Sequence, residues 1–157
     1  MKRSVYLDTT IPSFLFDTRE NAEVRVKRRL TLRWWSLWKG RVEAVVSDAV
    51  VAELEAGDYS HRQEALRFVA QLRALEIVDE VLRRAAAYVR RKVMPDSPDA
   101  VHLAVASFYR CAFLASWNMR HLVNPNKWEH IRRVNDLMGW HSPSLQTPEM
   151  MLEGETP

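Results

Sequence analysis

The side chains best suited to chemistry in this sequence are three acids and one amide, far apart along the chain: Asp8, Glu53, Asp99 and Asn118. Carboxylates that meet at one place repel one another and raise one another's pKa unless a cation neutralises them. No histidine–cysteine ligand set accompanies these acids, so the oxygen donors indicate a hard divalent ion, Mg²⁺ or Mn²⁺, held by carboxylates and water. Such an ion can activate a water molecule and stabilise the charge that develops on a phosphodiester.

Two of these residues belong to one segment, 95–118, that predicts a helix followed by a strand. Ser97 is a typical N-cap, Pro98 suits the first helical position, and Asp99 then falls in the first turn. An apolar run of strand length follows the helix, and Asn118 comes just after that run. Ligands of open α/β sheets bind at the carboxyl ends of the strands. The pattern therefore predicts that Asp99 and Asn118 meet at this edge.

The other two acids are predicted to reach the same edge. Asp8 comes directly after the first predicted strand, and Glu53 lies one turn into the helix that follows the second. Taken singly, Asp99 is typical of a helix-dipole partner and Glu53 of a solvated helix residue. The prediction of a metal site therefore depends on all three acids together.

Predicted strands alternate with predicted helices, which indicates an α/β fold with a parallel central sheet of about four to five strands and helices on both faces. No repeat, low-complexity segment or long linker divides the chain, so residues 1–157 are predicted to form a single domain with a frayed tail from about residue 150. The predicted strands are residues 4–7, 42–46, 76–78 and 112–115. The predicted helices are a short one from Pro12, then 20–39, 49–56, 61–75, 81–93, 98 onward, 126–138 and a last turn from 148.

The composition is that of an ordinary globular protein, with 47% apolar and 27% charged residues. The formal charge of +3 and a pI of about 9.2 make the chain mildly basic, which is compatible with a nucleic-acid substrate. A single cysteine, Cys111, excludes an intrachain disulfide and suits a buried thiol in a reducing compartment. The N-terminus lacks the apolar core of a signal peptide, and no apolar run approaches the roughly 18 residues of a membrane span. We therefore expect a cytoplasmic protein that does not enter membranes.

Four sequence pieces resemble the motifs of PIN-domain nucleases. They are V-Y-L-D-T-T at 5–10, V-V-A-E-L at 50–54, P-D-A-V-H-L-A-V-A at 98–106 and F-L-A-S-W-N-M-R-H-L at 113–122. Within that family the chain most resembles the VapC-type toxins of toxin–antitoxin pairs, and segments 131–139 and 144–149 extend the resemblance to essentially the whole chain. The resemblance implies a PIN-like three-layer fold, a Mg²⁺-dependent endoribonuclease, a cognate antitoxin as partner, and a homodimer.

The resemblance also assigns roles residue by residue. Asp8, Glu53 and Asp99 fall on the three acidic metal-site positions of the family. Asn118 falls where many members carry a fourth Asp, so a second metal ion would be held less tightly. An asparagine can still offer its carbonyl oxygen to the metal or to its water.

Three further residues near these acids are predicted to support the site. Ser116 sits where the family often has a Thr or Ser, and Thr9 directly follows Asp8. Asp96 is an extra acid three residues before Asp99 that could supply the missing charge. Because Pro98 makes its direction hard to predict, Asp96 is interpreted mainly as structural.

The basic residues form two groups that a solvated helix face or a phosphate-binding flank would explain equally well. In the first group Arg25, Arg28 and Arg29 are the candidate RNA contacts, joined by Arg120 and His121 beside Asn118. The first group is Arg19, Arg25, Lys27, Arg28, Arg29, Arg33, Lys39 and Arg41; the second is Arg83, Arg84, Arg90, Arg91 and Lys92.

One histidine and one tryptophan have two interpretations each. His102 lies one turn after Asp99, where a half-buried, hydrogen-bonded histidine is the expectation and a ligand role the alternative. Trp34 and Trp38 share a predicted core face, on which Val26 and Leu37 also lie. Trp35 falls off that face and could anchor a second copy or an antitoxin segment, or stack on an RNA base.

The residues at this edge allow two functions and argue against a third. An endoribonuclease toxin is the leading hypothesis. A PIN-like module that binds RNA or protein through a decayed metal site is the alternative, because Asn118 removes a charge. Phosphoryl transfer through an aspartyl-phosphate of the dehalogenase kind would need a second Asp two residues after Asp8, where the chain has Thr10.

Overall fold

A five-stranded parallel sheet forms the centre of the protein in its computed structural model, which describes residues 1–58 and 60–157. The strand order is β3-β2-β1-β4-β5, and each neighbouring pair is parallel. The strands are β1 (Ser4–Leu7), β2 (Glu43–Ser47), β3 (Arg73–Leu75), β4 (Phe113–Ala115) and β5 (Ser144–Gln146). The helices in the described part of the chain are α1 (Thr10–Phe16), α2 (Ala22–Trp38), α3 (Asp48–Ala56), α4 (Arg62–Ala70), α5 (Asp79–Arg90), α6 (Pro98–Phe108), α7 (Pro125–Met138) and α8 (Pro148–Gly154).

The strand order reverses between β1 and β4, and open α/β sheets bind their ligands at the carboxyl ends of the strands at such a point. Tyr6 of β1 lies opposite Val45 of β2 on one side and Leu114 of β4 on the other. β4 is buried throughout and β1 is buried from Val5 to Leu7, as expected for parallel strands covered on both faces. Helices α1, α2 and α4 contact one another, and α5 packs on α6. The predicted α/β fold with a parallel central sheet is confirmed.

The two edge strands differ from the prediction. The helix predicted over 61–75 ends at Ala70, and the third strand is Arg73–Leu75 rather than 76–78. The fifth strand, Ser144–Gln146, carried no strand prediction. Both are three residues long and partly exposed, so neither has the apolar run by which a buried strand is recognised.

The buried face of α2 is rotated from the predicted one. Val26 and Leu37 are 44% and 47% exposed, whereas Thr31 is fully buried beside Trp34 and Trp38. Thr31 can occupy a core position because its hydroxyl donates to the Lys27 carbonyl and accepts from the Trp117 indole N–H. Periodicity of apolar residues cannot predict a threonine buried in this way.

Trp35 has a partner within the chain. Its ring packs edge-on against Phe68 of α4, with 5.2 Å between ring centroids, and it also lies against Trp34. This contact joins α2 to α4. The packing of the fold therefore accounts for Trp35 without an external partner.

Helix α8, Pro148–Gly154, includes part of the segment that was predicted to be a frayed tail. The Thr147 side chain caps α8 by accepting a hydrogen bond from the Met150 N–H, and Met151 is fully buried. Helix α8 packs against α2. Burial of an apolar side chain offsets the entropy cost that would otherwise leave a chain terminus mobile.

The expected buried thiol is present: Cys111 is buried, and burial raises its pKa to about 11. Among the described residues, no helix combines the length and apolar character that a membrane crossing requires.

Candidate functional site

The site lies where β1 and β4 end side by side. The Asp8 N–H donates to the Ala115 carbonyl at 3.2 Å, which joins the two strand ends. Ser116, fully buried, donates its hydroxyl to Asp8 Oδ2 at 2.5 Å. Ser116, which was predicted to support the site, therefore contacts Asp8 directly.

Asp8 is a buried carboxylate whose hydrogen-bond donors are all neutral. Thr10 donates both its N–H and its hydroxyl to Oδ1, at 3.0 and 2.5 Å, opposite the Ser116 bond to Oδ2. Burial raises the pKa of Asp8 to about 6, although His102 and these hydrogen bonds act to lower it. A cation beside Asp8 would offset the cost of keeping the buried carboxylate charged.

Asn118 presents its amide N–H groups, rather than its oxygen, to the neighbouring acid. Its Nδ2 donates to Asp99 Oδ2 at 2.9 Å. Its Oδ1 accepts the backbone N–H groups of Arg120 and His121 at 3.2 and 3.1 Å, which establishes the orientation of the amide. The carbonyl oxygen assigned from the sequence to the metal or its water thus holds the turn that follows β4.

Glu53 is held by two donors on the same oxygen. The Thr9 hydroxyl donates to Oε1 at 2.8 Å, and Nε2 of His102 contacts Oε1 at 2.5 Å. Burial alone would raise the pKa of Glu53, but the hydrogen bonds and charge from His102, with the Thr9 bond, hold it below its usual value. Oε2 accepts no hydrogen bond from the residues that the structure describes.

His102 is more deeply buried than predicted, at 1% exposure, and it lies in a chain of polar groups. Its Nδ1 is 2.7 Å from the Tyr6 hydroxyl, which is 2.8 Å from the Ser47 hydroxyl. Burial raises the pKa of Tyr6 well above its usual value, so the phenol is protonated. Neither Tyr6 nor Ser47 was singled out from the sequence as a site residue.

The structure joins the four main candidates through short contacts. Asp99 is linked to Asn118, Asn118 donates its N–H to Ser116 at 2.9 Å, and Ser116 bonds Asp8. Glu53 joins them through Thr9, the neighbour of Asp8 in the chain. One connected network therefore contains every residue that was predicted to be catalytic.

The remaining candidates lie at the border of this network or outside it. Asp96 is exposed in the segment before α6 and makes no contact with the network among the described residues. Arg120 is exposed and His121 half-buried in the turn that Asn118 holds, so both border the site.

The three candidate arginines of α2 line one cavity of about 620 Å³. Arg25 and Arg29 are exposed and Arg28 is half-buried. Asp17 also lines the cavity, but it pairs with Arg19 at 2.7 Å, which offsets its charge. The same helix reaches the site, because Lys27 lies 5.7 Å from the ring centroid of Trp117, the residue after Ser116.

The donor set suits a hydrated Mg²⁺ or Mn²⁺ ion rather than a fully caged metal. Within residues 1–58 and 60–157, no three acid, histidine or cysteine side chains stand together as a complete ligand set. Mg²⁺ does not need one, because it keeps several waters and binds through one or two carboxylates. Asp8, buried without a cationic hydrogen-bond donor, and the free Oε2 of Glu53 are suitable oxygen donors.

Comparison with known proteins places the chain among related folds. A family model described as PIN domain matches residues 5–120. No curated protein matches at a significant level. A chain of the VapBC2 complex of Rickettsia felis bound to promoter DNA superposes with a TM-score of 0.60 at 14% identity, covering 92% of this chain and 98% of that one.

Two further solved structures are similar over most of their length. A chain of a toxin–antitoxin complex from Klebsiella pneumoniae has a TM-score of 0.58 at 20% identity, covering 78% of this chain and 93% of that one. A chain of DNA-bound VapBC from Salmonella typhimurium has a TM-score of 0.56 at 17% identity, covering 94% and 99%. At these identities the likeness is one of fold.

Proposed function

The chain belongs to the PIN-domain family, and from this premise we propose that it is a metal-dependent endoribonuclease, the toxin of a toxin–antitoxin pair. The observation that carries the proposal is the connected network of Asp8, Glu53, Asp99 and Asn118 at the switch point of the sheet. The similarity of the fold to chains of toxin–antitoxin complexes supports the toxin role.

Asp8, Asp99 and Glu53 would hold Mg²⁺ or Mn²⁺. The chemistry that the ion supplies when bound is activation of a water and neutralisation of charge on a phosphodiester. Thr10 and Ser116 orient the two oxygens of Asp8, and Asn118 orients Asp99. Because these contacts exist before substrate arrives, the acids need little rearrangement to act, which is the condition for efficient electrostatic catalysis.

RNA is the proposed substrate, bound by two sets of basic side chains. Arg25, Arg28 and Arg29 line the α2 cavity, and Arg120 and His121 border the turn after β4. Contacts to phosphates from such residues position a strand without selecting its sequence.

An antitoxin is the proposed protein partner, since the similar solved structures are toxin–antitoxin complexes. A homodimer and a cytoplasmic location complete the proposal. Co-expression with candidate antitoxins and measurement of the mass of the complex in solution test both assemblies.

The decisive experiment is cleavage of an RNA panel in Mg²⁺ or Mn²⁺ by the wild type and by Asp8→Asn and Asp99→Asn. We expect each substitution to lower the rate at least about 100-fold, because several kcal/mol of transition-state stabilisation depend on the ion. Asp136→Asn, exposed on α7, is the matched control and should leave the rate unchanged. Activity that persists in both site variants, or in EDTA, contradicts the proposal.

One observation favours a second function, a PIN-like module that binds RNA or protein without cleavage. Asn118 presents N–H groups to Asp99 where a fourth carboxylate would add negative charge, which weakens the attraction for cations. A working metal site stabilises the fold by linkage, so Mn²⁺ should raise the melting temperature of the wild type more than that of Asp8→Asn. An equal melting temperature with and without Mn²⁺ would favour the binding module.

A further inference from the structure

We propose that Tyr6 and His102 form a buried support that positions the Glu53 carboxylate for metal binding, an inference that rests on the proposed function. His102 is thereby a positioning residue, because it acts through Glu53 and not on the substrate. Neither Tyr6 nor His102 belongs to the acidic set that the sequence indicated.

A chain of hydrogen bonds connects Ser47 to Glu53. A carboxylate only accepts, so Nε2–H of His102 donates to Oε1 of Glu53. On the other side of the ring, Nδ1 lies 2.7 Å from the Tyr6 hydroxyl, which is 2.8 Å from the Ser47 hydroxyl. Both ring nitrogens are therefore engaged, which holds the imidazole in one orientation.

The three supporting residues are more deeply buried than the acid that they serve. Ser47 and Tyr6 are fully buried and His102 is 1% exposed, whereas Glu53 is half-buried. Buried side chains with satisfied hydrogen bonds have few alternative rotamers, so they hold a carboxylate in one place. Thr9 donates to the same Oε1, which leaves Oε2 as the oxygen available to a cation.

The Ser47 side chain takes part in the support of Glu53 and not in capping its own helix. Ser47 stands at the N-cap position of α3, yet its side chain makes no capping hydrogen bond. A capping serine stabilises a helix by accepting a hydrogen bond from one of the free N–H groups of its first turn. The Ser47 hydroxyl bonds Tyr6 instead, so the fold forgoes this cap and completes the support.

The support also explains how one helix can position two acids. Asp99 and His102 lie three residues apart on α6, so they occupy neighbouring places on its surface. Asp99 belongs to the proposed site directly, and His102 reaches Glu53 on α3. Because α6 packs against β4 and α3, the same helix sets the positions of both acids beside the sheet.

The test measures Mn²⁺ binding by calorimetry and by the electron paramagnetic resonance spectrum of Mn²⁺, with no RNA present. We expect Tyr6→Phe and His102→Leu to weaken Mn²⁺ binding about 10–100-fold, the usual effect of losing a group that orients a metal ligand. His102→Gln retains an amide N–H that can reach Glu53, so it should restore much of the affinity.

Tyr88→Phe is the matched control. Tyr88 is also a fully buried tyrosine, and its hydroxyl donates to Asn135 at 2.6 Å, in contact with neither Glu53 nor His102. Tyr6→Phe and Tyr88→Phe should lower the melting temperature in EDTA by similar amounts, and only Tyr6→Phe should alter Mn²⁺ affinity and the resonance spectrum. If His102→Leu does not fold, the Tyr6 and Tyr88 pair decides the result.

Two results would overturn the support, and they are distinguishable. If Asp8→Asn weakens Mn²⁺ binding but Tyr6→Phe and His102→Leu do not, the support is wrong and the proposed metal-dependent function stands. If the wild type binds no Mn²⁺ at all, the support and the metal-dependent function fail together.

Discussion

At the scale of single residues, the site is defined by how each polar group is paired. Asp8 receives only neutral donors, Asn118 donates to Asp99, and Glu53 receives Thr9 and His102. The consequence is that negative charge remains uncompensated at Asp8, the most buried acid of the site. Such a group is destabilising in the absence of a cation and supplies differential affinity for one.

Asp8 makes the stability of the metal-free protein depend on pH in a definite direction. Its pKa is about 6 in the fold against an ordinary value of 3.8, so the folded state binds the proton more tightly than the unfolded state. The contribution of Asp8 to the free energy of unfolding is therefore fully present below about pH 4. It decreases by about 3 kcal/mol as the pH rises through about 6.

The measurement is urea unfolding in EDTA across this pH range for the wild type and Asp8→Asn. The variant should gain stability relative to the wild type as the pH rises, since it has no charge to bury. Subtracting the two curves removes the contributions of Asp17 and Glu53, whose pKa values are lowered in the fold. A difference between the curves that does not change with pH would contradict a raised pKa at Asp8.

At the scale of elements, α6 has the closest link between local structure and the site. Ser97 caps it by accepting the Asp99 N–H at 3.3 Å, and Pro98 occupies its first turn, as predicted from the sequence. The cap therefore restrains Asp99, which is a proposed metal ligand. Fraying of this turn would move Asp99 away from Asn118.

Ser97→Ala should lower the free energy of unfolding by about 1 kcal/mol and also weaken Mn²⁺ binding, because the first turn of α6 becomes less ordered. Thr147→Ala is its matched control, since Thr147 caps α8 ahead of a proline in the same way. It should cost similar stability and leave Mn²⁺ affinity unchanged. Equal Mn²⁺ affinities in the two variants would show that the cap of α6 does not influence the proposed metal site.

At the scale of the whole molecule, the net charge of +3 is small, so affinity for RNA depends on where the charge lies. The α2 arginines gather around one cavity on a helix that reaches the acids through Lys27 and Trp117. The second basic group includes the exposed Arg83 and Arg90 of α5.

Two double variants that remove the same number of positive charges test whether the position of the charge on the surface determines RNA binding. Binding of single-stranded RNA should be measured against salt concentration in an Asp8→Asn background, which prevents cleavage. Arg25→Gln with Arg29→Gln should weaken binding and lower the salt slope by about 0.7 for each phosphate that is no longer neutralised. Arg83→Gln with Arg90→Gln should change neither; an equal effect of both pairs would show that only net charge matters.

How far the sequence predicts this fold depends on whether a signal is local. The central strands, the capped helix at Ser97 and the stop of α7 at Gly139 were predicted, because each depends on neighbouring residues. The edge strand at Arg73–Leu75 was misplaced and the one at Ser144–Gln146 missed. Such short, exposed strands exist because a neighbouring strand offers hydrogen bonds, which no local pattern reveals.

Local sequence patterns are enough to predict that acids follow strands and open helices, and therefore which residues could gather at one edge of a parallel sheet. How these residues are paired depends on tertiary packing. Tyr6 meets Ser47 and His102 across 41 and 96 residues, and His102 meets Glu53 across 49. Packing of the sheet against α3 and α6 sets these contacts, because hydrogen bonds between buried side chains depend on distances and directions that chain order does not contain.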